Sequence, residues 1–259
     1  MCLILFSYKV HSSLPLVVLA NRDEFLDRPA QPAHWWEGNG GNDMLAGKDL
    51  KAGGSWLGLS RNGRFAALTN VREPHNIKAD APSRGDLVTD FLQGNIHPGE
   101  YLEKVAEKGQ AYNGFNLLVG GPEELWYFGN RGPAPQKLQP GTYGLSNWLL
   151  DTPWPKLVSG KAELEALLPE ISEEKAISVL KNPTTYPDDQ LPTTGVPLDW
   201  ERALSARFIT KENYGTRCST IVAFDDYDKV SFTVITWRPE EGIVRERFEI
   251  KELRNEVIK

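Results

Sequence analysis

Cysteine is nearly absent from this chain: Cys2 and Cys218 are the two in 259 residues. That excludes a disulfide framework and any Cys-x-x-Cys metal knuckle, and it fits a reducing compartment. Histidine is scarce too, and His11, His34, His75 and His97 are scattered in segments that read as loops, with no pair at metal-ligand spacing. No metal site is expected. Basic runs are missing: 35 acidic residues against 29 basic ones leave a formal charge of −6, with no cluster on which nucleic-acid phosphates would release counterions. Nucleic acid is therefore excluded as an expected partner. Long apolar runs are missing as well. The opening one stops after Phe6, has no basic residue before it and is followed by Lys9 and His11, too short for a signal-peptide core or a membrane span. A soluble, cytoplasmic protein is expected. No Ser/Gly-rich linker divides the chain and no internal repeat is visible, so residues 1–259 read as a single domain large enough for a sizeable core.

What is present reads as strands and helices in blocks. Cys2 to Tyr8 and Leu16 to Ala20 are apolar runs of strand length joined by a mostly polar turn ending at Pro15, an opening hairpin. The stretch from Arg28 to Lys51, rich in Gly, Pro, Asn and Trp, is expected to be a long loop, functional or mobile. Arg61-Asn62-Gly63 between apolar runs marks a second hairpin. Ser83 is the expected N-cap of a helix running through Leu92 to Gly94, and Glu100 to Lys108 forms another. Strands follow at Phe115 to Val119, Leu125 to Phe128 and Tyr143 to Leu145, and helices at Pro155 to Leu168 and Ser172 to Leu180. Asn182 to Pro197 is a Pro- and Asp-rich loop, and Cys218 to Phe224 with Val230 to Trp237 closes a last hairpin across Asp225 to Asp228. Hairpins alternating with helical blocks indicate an α+β layered fold with antiparallel sheets.

The chemistry centres on Cys2. Removal of Met1 leaves a thiol and a free α-amine on one residue, and an amine with a pKa of about 7.7 to 8.0 can take the proton of a thiol with a pKa of about 8.5. Nucleophile and base then share one amino acid. The plain alternative is a small, soft residue starting a buried strand. Polar residues stand at the ends of other expected strands: Asn21-Arg22-Asp23-Glu24, Leu68-Thr69-Asn70, Leu145-Ser146-Asn147 and Tyr214-Gly215-Thr216-Arg217. Asn70 and Asn147 are candidate oxyanion donors, because neutral amides donate without protonating a thiolate. Asp23 is the candidate partner of the Cys2 amine, and Arg22 or Arg217 is suited to a substrate carboxylate or to lowering the thiol pKa.

These segments, with Gly53-Gly54-Ser55-Trp56-Leu57-Gly58, Asn113-Gly114-Phe115-Asn116-Leu117 and Asp151-Thr152-Pro153-Trp154-Pro155-Lys156, resemble the NRDE family, also called the transport and Golgi organisation protein 2 family. The resemblance runs from Met1 to about Trp237, with Ser55 where threonine is familiar. That family in turn resembles the N-terminal nucleophile hydrolases of the choloylglycine hydrolase and penicillin V acylase type. The resemblance implies an αββα four-layer sandwich with Cys2 as nucleophile, Asp23 at its amine, Asn70 and Asn147 at the oxyanion, and Arg217 as the late-strand arginine. Arg22, Trp56 and Trp154 are the expected substrate contacts. The hydrolases carry an arginine three positions before the aspartate, where this chain has Ala20, with Arg22 beside Asp23 instead. The implied activity is cleavage of an amide or acyl thioester of a small or lipid-like substrate, with no required cofactor. The alternative implied by the resemblance is a cytosolic carrier of haem, acyl-CoA or lipid, with the tryptophans walling the pocket.

Overall fold

In a computed structural model of the chain, residues 2–38, 42–227, 229–238 and 242–251 are described, with backbone alone for Cys2, Arg238, Gly242 and Lys251. Asp228, in the expected last turn, lies outside the described residues. Two antiparallel sheets form. The first has the order β10-β1-β2-β12-β13-β14, with β11 (Thr210–Lys211) paired to β12. Its members are β1 (Cys2–His11), β2 (Leu14–Phe25), β10 (Gly141–Leu145), β12 (Tyr214–Phe224), β13 (Lys229–Arg238) and β14 (Gly242–Lys251). The second runs β3-β4-β5-β6-β7-β8-β9. It comprises β3 (Ala30–Trp36), β4 (Met44–Asp49), β5 (Leu57–Ser60), β6 (Phe65–Asn70), β7 (Phe115–Gly120), β8 (Leu125–Gly129) and β9 (Gln136–Lys137).

The layers follow from which side chains each strand turns to which face. Along β1, Ile4 and Phe6 enter the core between the sheets, where they meet Leu45, Leu59, Phe65 and Leu118 of the other sheet. Leu3 and Leu5 alternate to the opposite face and pack on α3 (Pro155–Leu167) and α4 (Glu173–Leu180) through Leu157, Leu164 and Val179. The outer face of the second sheet, with Met44, Ala66 and Leu117, is covered by α1 (Asp86–Gln93) and α2 (Pro98–Lys108) through Val88, Phe91, Leu102 and Val105. The result is the expected αββα sandwich, and it explains the sequence pattern. Strands buried on both faces read as continuous apolar runs instead of alternating ones.

Four points differ from the sequence expectations. The stretch from Arg28 to Lys51 holds two strands, β3 and β4, apart from residues 39–41, which are not described. Pro32 falls at the register shift between Gln31 and His34 on the sheet edge, a position that tolerates a residue without an N–H. The α1 helix starts at Asp86, with Gly85 and not Ser83 as its N-cap and no side-chain cap. Its start is set by tertiary contact: the Ser55 amide donates to the Gly85 carbonyl at 3.3 Å, and a Cβ on Gly54 would lie 2.4 Å from the Gly85 carbonyl carbon. A short helix, α5 (Leu198–Leu204), follows the Pro-rich loop without a capping residue that would announce it. Two histidines expected in loops lie in strands, His11 in β1 and His34 in β3.

Candidate functional site

The head of β1 locates the site. Cys2 pairs with Arg22 of β2 on one side. On the other, the pairing of β1 with β10 ends at Ile4 opposite Leu145, and Asn147 follows two residues beyond the end of β10. The expected convergence on the Cys2 thiol lies outside the described side chains.

The Asn-Arg-Asp-Glu run then divides its labour by strand alternation. Asn21 faces the helices: its Nδ2 donates to the carbonyls of Leu180 (2.9 Å) and Arg207 (2.7 Å), and its Oδ1 accepts from the Ser219 hydroxyl (2.6 Å). It stitches β2 to the outer layer. Arg22 turns to the sheet interior, donates to Asp49 Oδ2 at 2.8 Å and lies 4.3 Å above the Trp56 ring. Asp23, 1 % exposed, accepts from the Thr216 hydroxyl at 2.7 Å. Burial pushes its carboxyl up to about 6, while the positive chain terminus, Lys156, Thr216 and Arg72 all pull the other way. Glu24 lies at the surface end, 3.8 Å from Arg28.

Asn70 and Asn147 come together: the Asn147 amide donates to the Asn70 carbonyl at 3.0 Å, and Asn147 is buried. Two residues not expected from the sequence close in around them. Arg72 donates to Asn147 Oδ1 at 3.4 Å and to Glu201 at 2.6 Å. Lys156, only 2 % exposed at the start of α3, donates to the Leu204 carbonyl at 2.9 Å and pulls on Asp23 electrostatically. Lys156 belongs to the Asp151 to Lys156 motif, which is the one signal for it; Arg72 and Glu201 have none in the local pattern.

Two clefts of different character meet at this place. One, of about 520 Å³, is bordered by Arg22, Asp23, Arg28, Lys51, Trp56 and Asn70. The other, of about 420 Å³, is apolar and bordered by Phe25, Val71, Ile77, Val196, Trp200 and Tyr214. Asn70, Ile77, Arg84 and Asn113 line both. Arg217 lines a small neighbouring pocket together with Arg22 and Trp56, while Trp154 lines neither of the two clefts. Arg217 is the extra residue at a register shift between Thr216 and Cys218. Its guanidinium donates to the Phe25 (2.9 Å) and Arg28 (3.0 Å) carbonyls, which pins the turn after β2. Trp154 packs on Arg72, 5.1 Å from its guanidinium, and faces a separate groove of about 470 Å³ with His75 and Trp148.

No group of three or more His, Cys, Asp or Glu side chains placed to hold a metal ion occurs among the described residues. No helix among them is long and apolar enough to cross a membrane.

Comparison with known proteins fits this geometry to a family. A Mus musculus protein named Transport and Golgi organization 2 homolog is 38% identical over 90% of this chain and 92% of its own. The Homo sapiens homolog is 37% identical over the same shares of the two chains. Among solved structures, a Caenorhabditis elegans N-acylethanolamine-hydrolyzing acid amidase ortholog covers 85% of this chain and 92% of its own, with a TM-score of 0.49 at 12% identity. That likeness is too distant to bear on individual side chains. The family model described as Transport and Golgi organisation 2 matches residues 1–239, and the chain belongs to that family.

Proposed function

We propose that this protein is an N-terminal nucleophile acyl hydrolase in which Cys2, freed of Met1, cleaves an amide or acyl thioester of a small or lipid-like substrate. The observation that carries the reading is the backbone pairing of Cys2 with Arg22 on β2, one residue from the buried Asp23 carboxyl, with the buried Asn147 just beyond the β10 strand that flanks β1. In this mechanism the α-amine takes the thiol proton and Asp23 holds the resulting ammonium. The thiolate adds to the acyl carbonyl, and Asn70 and Asn147 stabilise the oxyanion. The C–N or C–S bond then breaks, the leaving group takes the proton from the amine, and water hydrolyses the acyl-enzyme thioester. The apolar cleft suits the acyl portion, since a largely apolar wall with few polar groups is the usual form of a small-molecule site.

A carrier of haem or acyl-CoA is the alternative that the sequence raises. The histidines sit on separate parts of the fold: His11 ends β1, His34 lies in β3, His75 follows β6 and His97 caps α2. They offer no shared axial site, so the hydrolase reading is preferred. Turnover of a panel of N-acyl amides and acyl thioesters by the wild type and Cys2→Ala, with haem and acyl-CoA titrations on both, tests it. Loss of turnover with ligand affinity intact is expected; full function in Cys2→Ala with haem or acyl-CoA bound would establish the carrier.

A further inference from the structure

The loop after β6 carries an ion pair whose burial needs a reason. Arg72 and Glu201 meet at 2.6 Å with each side chain only 4 % exposed. The other oxygen of Glu201 accepts from the Thr194 amide at 2.8 Å and the Thr194 hydroxyl at 2.6 Å. Desolvating two charges is expensive, and an apolar pair of similar volume often gives equal or greater stability. What an apolar pair cannot do is hold an amide oxygen. Arg72 does so: its Nη2 donates to Asn147 Oδ1 at 3.4 Å, its backbone amide donates to the Asn147 carbonyl at 2.8 Å, and the Ser146 hydroxyl donates to the same Oδ1 at 3.3 Å.

We infer that the Glu201–Arg72 pair is a positioning device that sets the side-chain amide of Asn147, with Glu201 fixing Arg72 and Arg72 fixing which way the amide points. With two donors on its oxygen, the Asn147 amide commits Nδ2 to donating. One N–H goes to the Asn70 carbonyl at 3.0 Å, and the other is the donor a developing oxyanion would take. Glu201 also sits on α5, the helix that lends Trp200 and Leu204 to the wall of the apolar cleft. The wall that would hold an acyl group and the donor that would hold its oxyanion are therefore set by one helix. Arg72 and Glu201 touch no reacting atom in this scheme and are positioning residues. The kinetic consequence rests on the hydrolase reading, while the structural one does not.

Two readouts keep these apart. In ¹⁵N-labelled protein the Asn147 side-chain amide signals are assigned by their loss in Asn147→Ala. Glu201→Gln, which keeps an oxygen for Thr194 but removes the charge that holds Arg72, is expected to shift or broaden those signals while the backbone spectrum away from the loop is unchanged. If Glu201→Gln does not fold, Thr194→Val, which removes one of the bonds orienting Glu201, is expected to move the same signals. In the second readout, with 4-nitrophenyl butyrate as the probe, Glu201→Gln lowers kcat by about tenfold at unchanged KM, a fraction of the roughly 10²–10³ attached to a whole oxyanion donor. In the Asn147→Ala background the same substitution costs nothing further, because the two act through one group. An unmoved Asn147 amide, or kinetic losses that multiply in the double variant, would overturn the inference. If the wild type shows no Cys2-dependent turnover, the hydrolase reading falls and the amide signals alone decide the positioning role.

Discussion

Replacing Asp23 with asparagine removes one proton-binding site from the deepest part of the candidate site, and the structure gives the size and sign of the effect. Burial raises this carboxyl from 3.8 to about 6, and the group is 1 % exposed, so solvent screening offers little relief. At about 1.36 kcal/mol for each factor of ten, the charged form costs the fold about 3 kcal/mol. Because the folded pKa lies above the unfolded one, the native state holds the extra proton between them. Stability therefore falls as pH rises from about 4 to about 6, and the loss persists above that. The amide oxygen that the substitution introduces can still accept from the Thr216 hydroxyl, which sits 2.7 Å from Oδ1 in the wild type. Urea unfolding of the wild type and Asp23→Asn at closely spaced pH values from about 4 to 8 measures the difference. Asp23→Asn is expected to match the wild type near pH 4 and to exceed it by up to about 3 kcal/mol at pH 8, while losing acyl-transfer activity. A variant less stable than the wild type at pH 8 by a pH-independent margin would show that Lys156 and the chain terminus stabilise the charge by more than burial costs, and would refute the reasoning.

Asn21→Ala leaves two buried carbonyls and the Ser219 hydroxyl short of a partner, so it is expected to cost about 3 kcal/mol in urea unfolding, as befits a structural member of the motif. Gly54→Ala sets a methyl 2.4 Å from Gly85 backbone and is expected to cost about 1–3 kcal/mol and to slow acyl transfer by shifting the cleft wall; unchanged thermal unfolding would contradict the close packing seen there. Arg72→Met strands the Glu201 carboxylate in the interior at a cost of about 3–5 kcal/mol, and adding Glu201→Leu is expected to restore part of it in the same unfolding assay.

Much of the sandwich is legible in the chain because its signals are local. Cys2 to Tyr8, Phe115 to Val119 and the Asn62-Gly63 turn are set by short-range pattern, and the structure places β1, β7 and the β5–β6 hairpin there. The places of Asp23, Asn70 and Asn147 along the chain, at or just past the ends of apolar runs, are local signals of the same kind, although burial of Asp23 and Asn147 is not. Arg72, Lys156 and Glu201 escape such reading. Arg72 and Glu201 are 129 positions apart, and nothing near either marks it as one half of a buried pair. Strands β3 and β4 escape because their Gly and Pro content mimics a loop, and their pairing rests on a neighbouring strand. The packing of Trp154 on Arg72 and the hold of Arg217 on the turn after β2 are likewise contacts that no local pattern announces.

The central claim is that Cys2 is a free N-terminal nucleophile. Protein purified from its native cell, mixed with 4-nitrophenyl butyrate, acid-quenched and read by intact and peptide mass spectrometry tests it most directly. The expected result is a chain beginning at Cys2 that carries a single butyryl group on that residue and none in Asp23→Asn. A native, functional chain that retains Met1, or an acyl group found on Cys218 with none on Cys2, would contradict it.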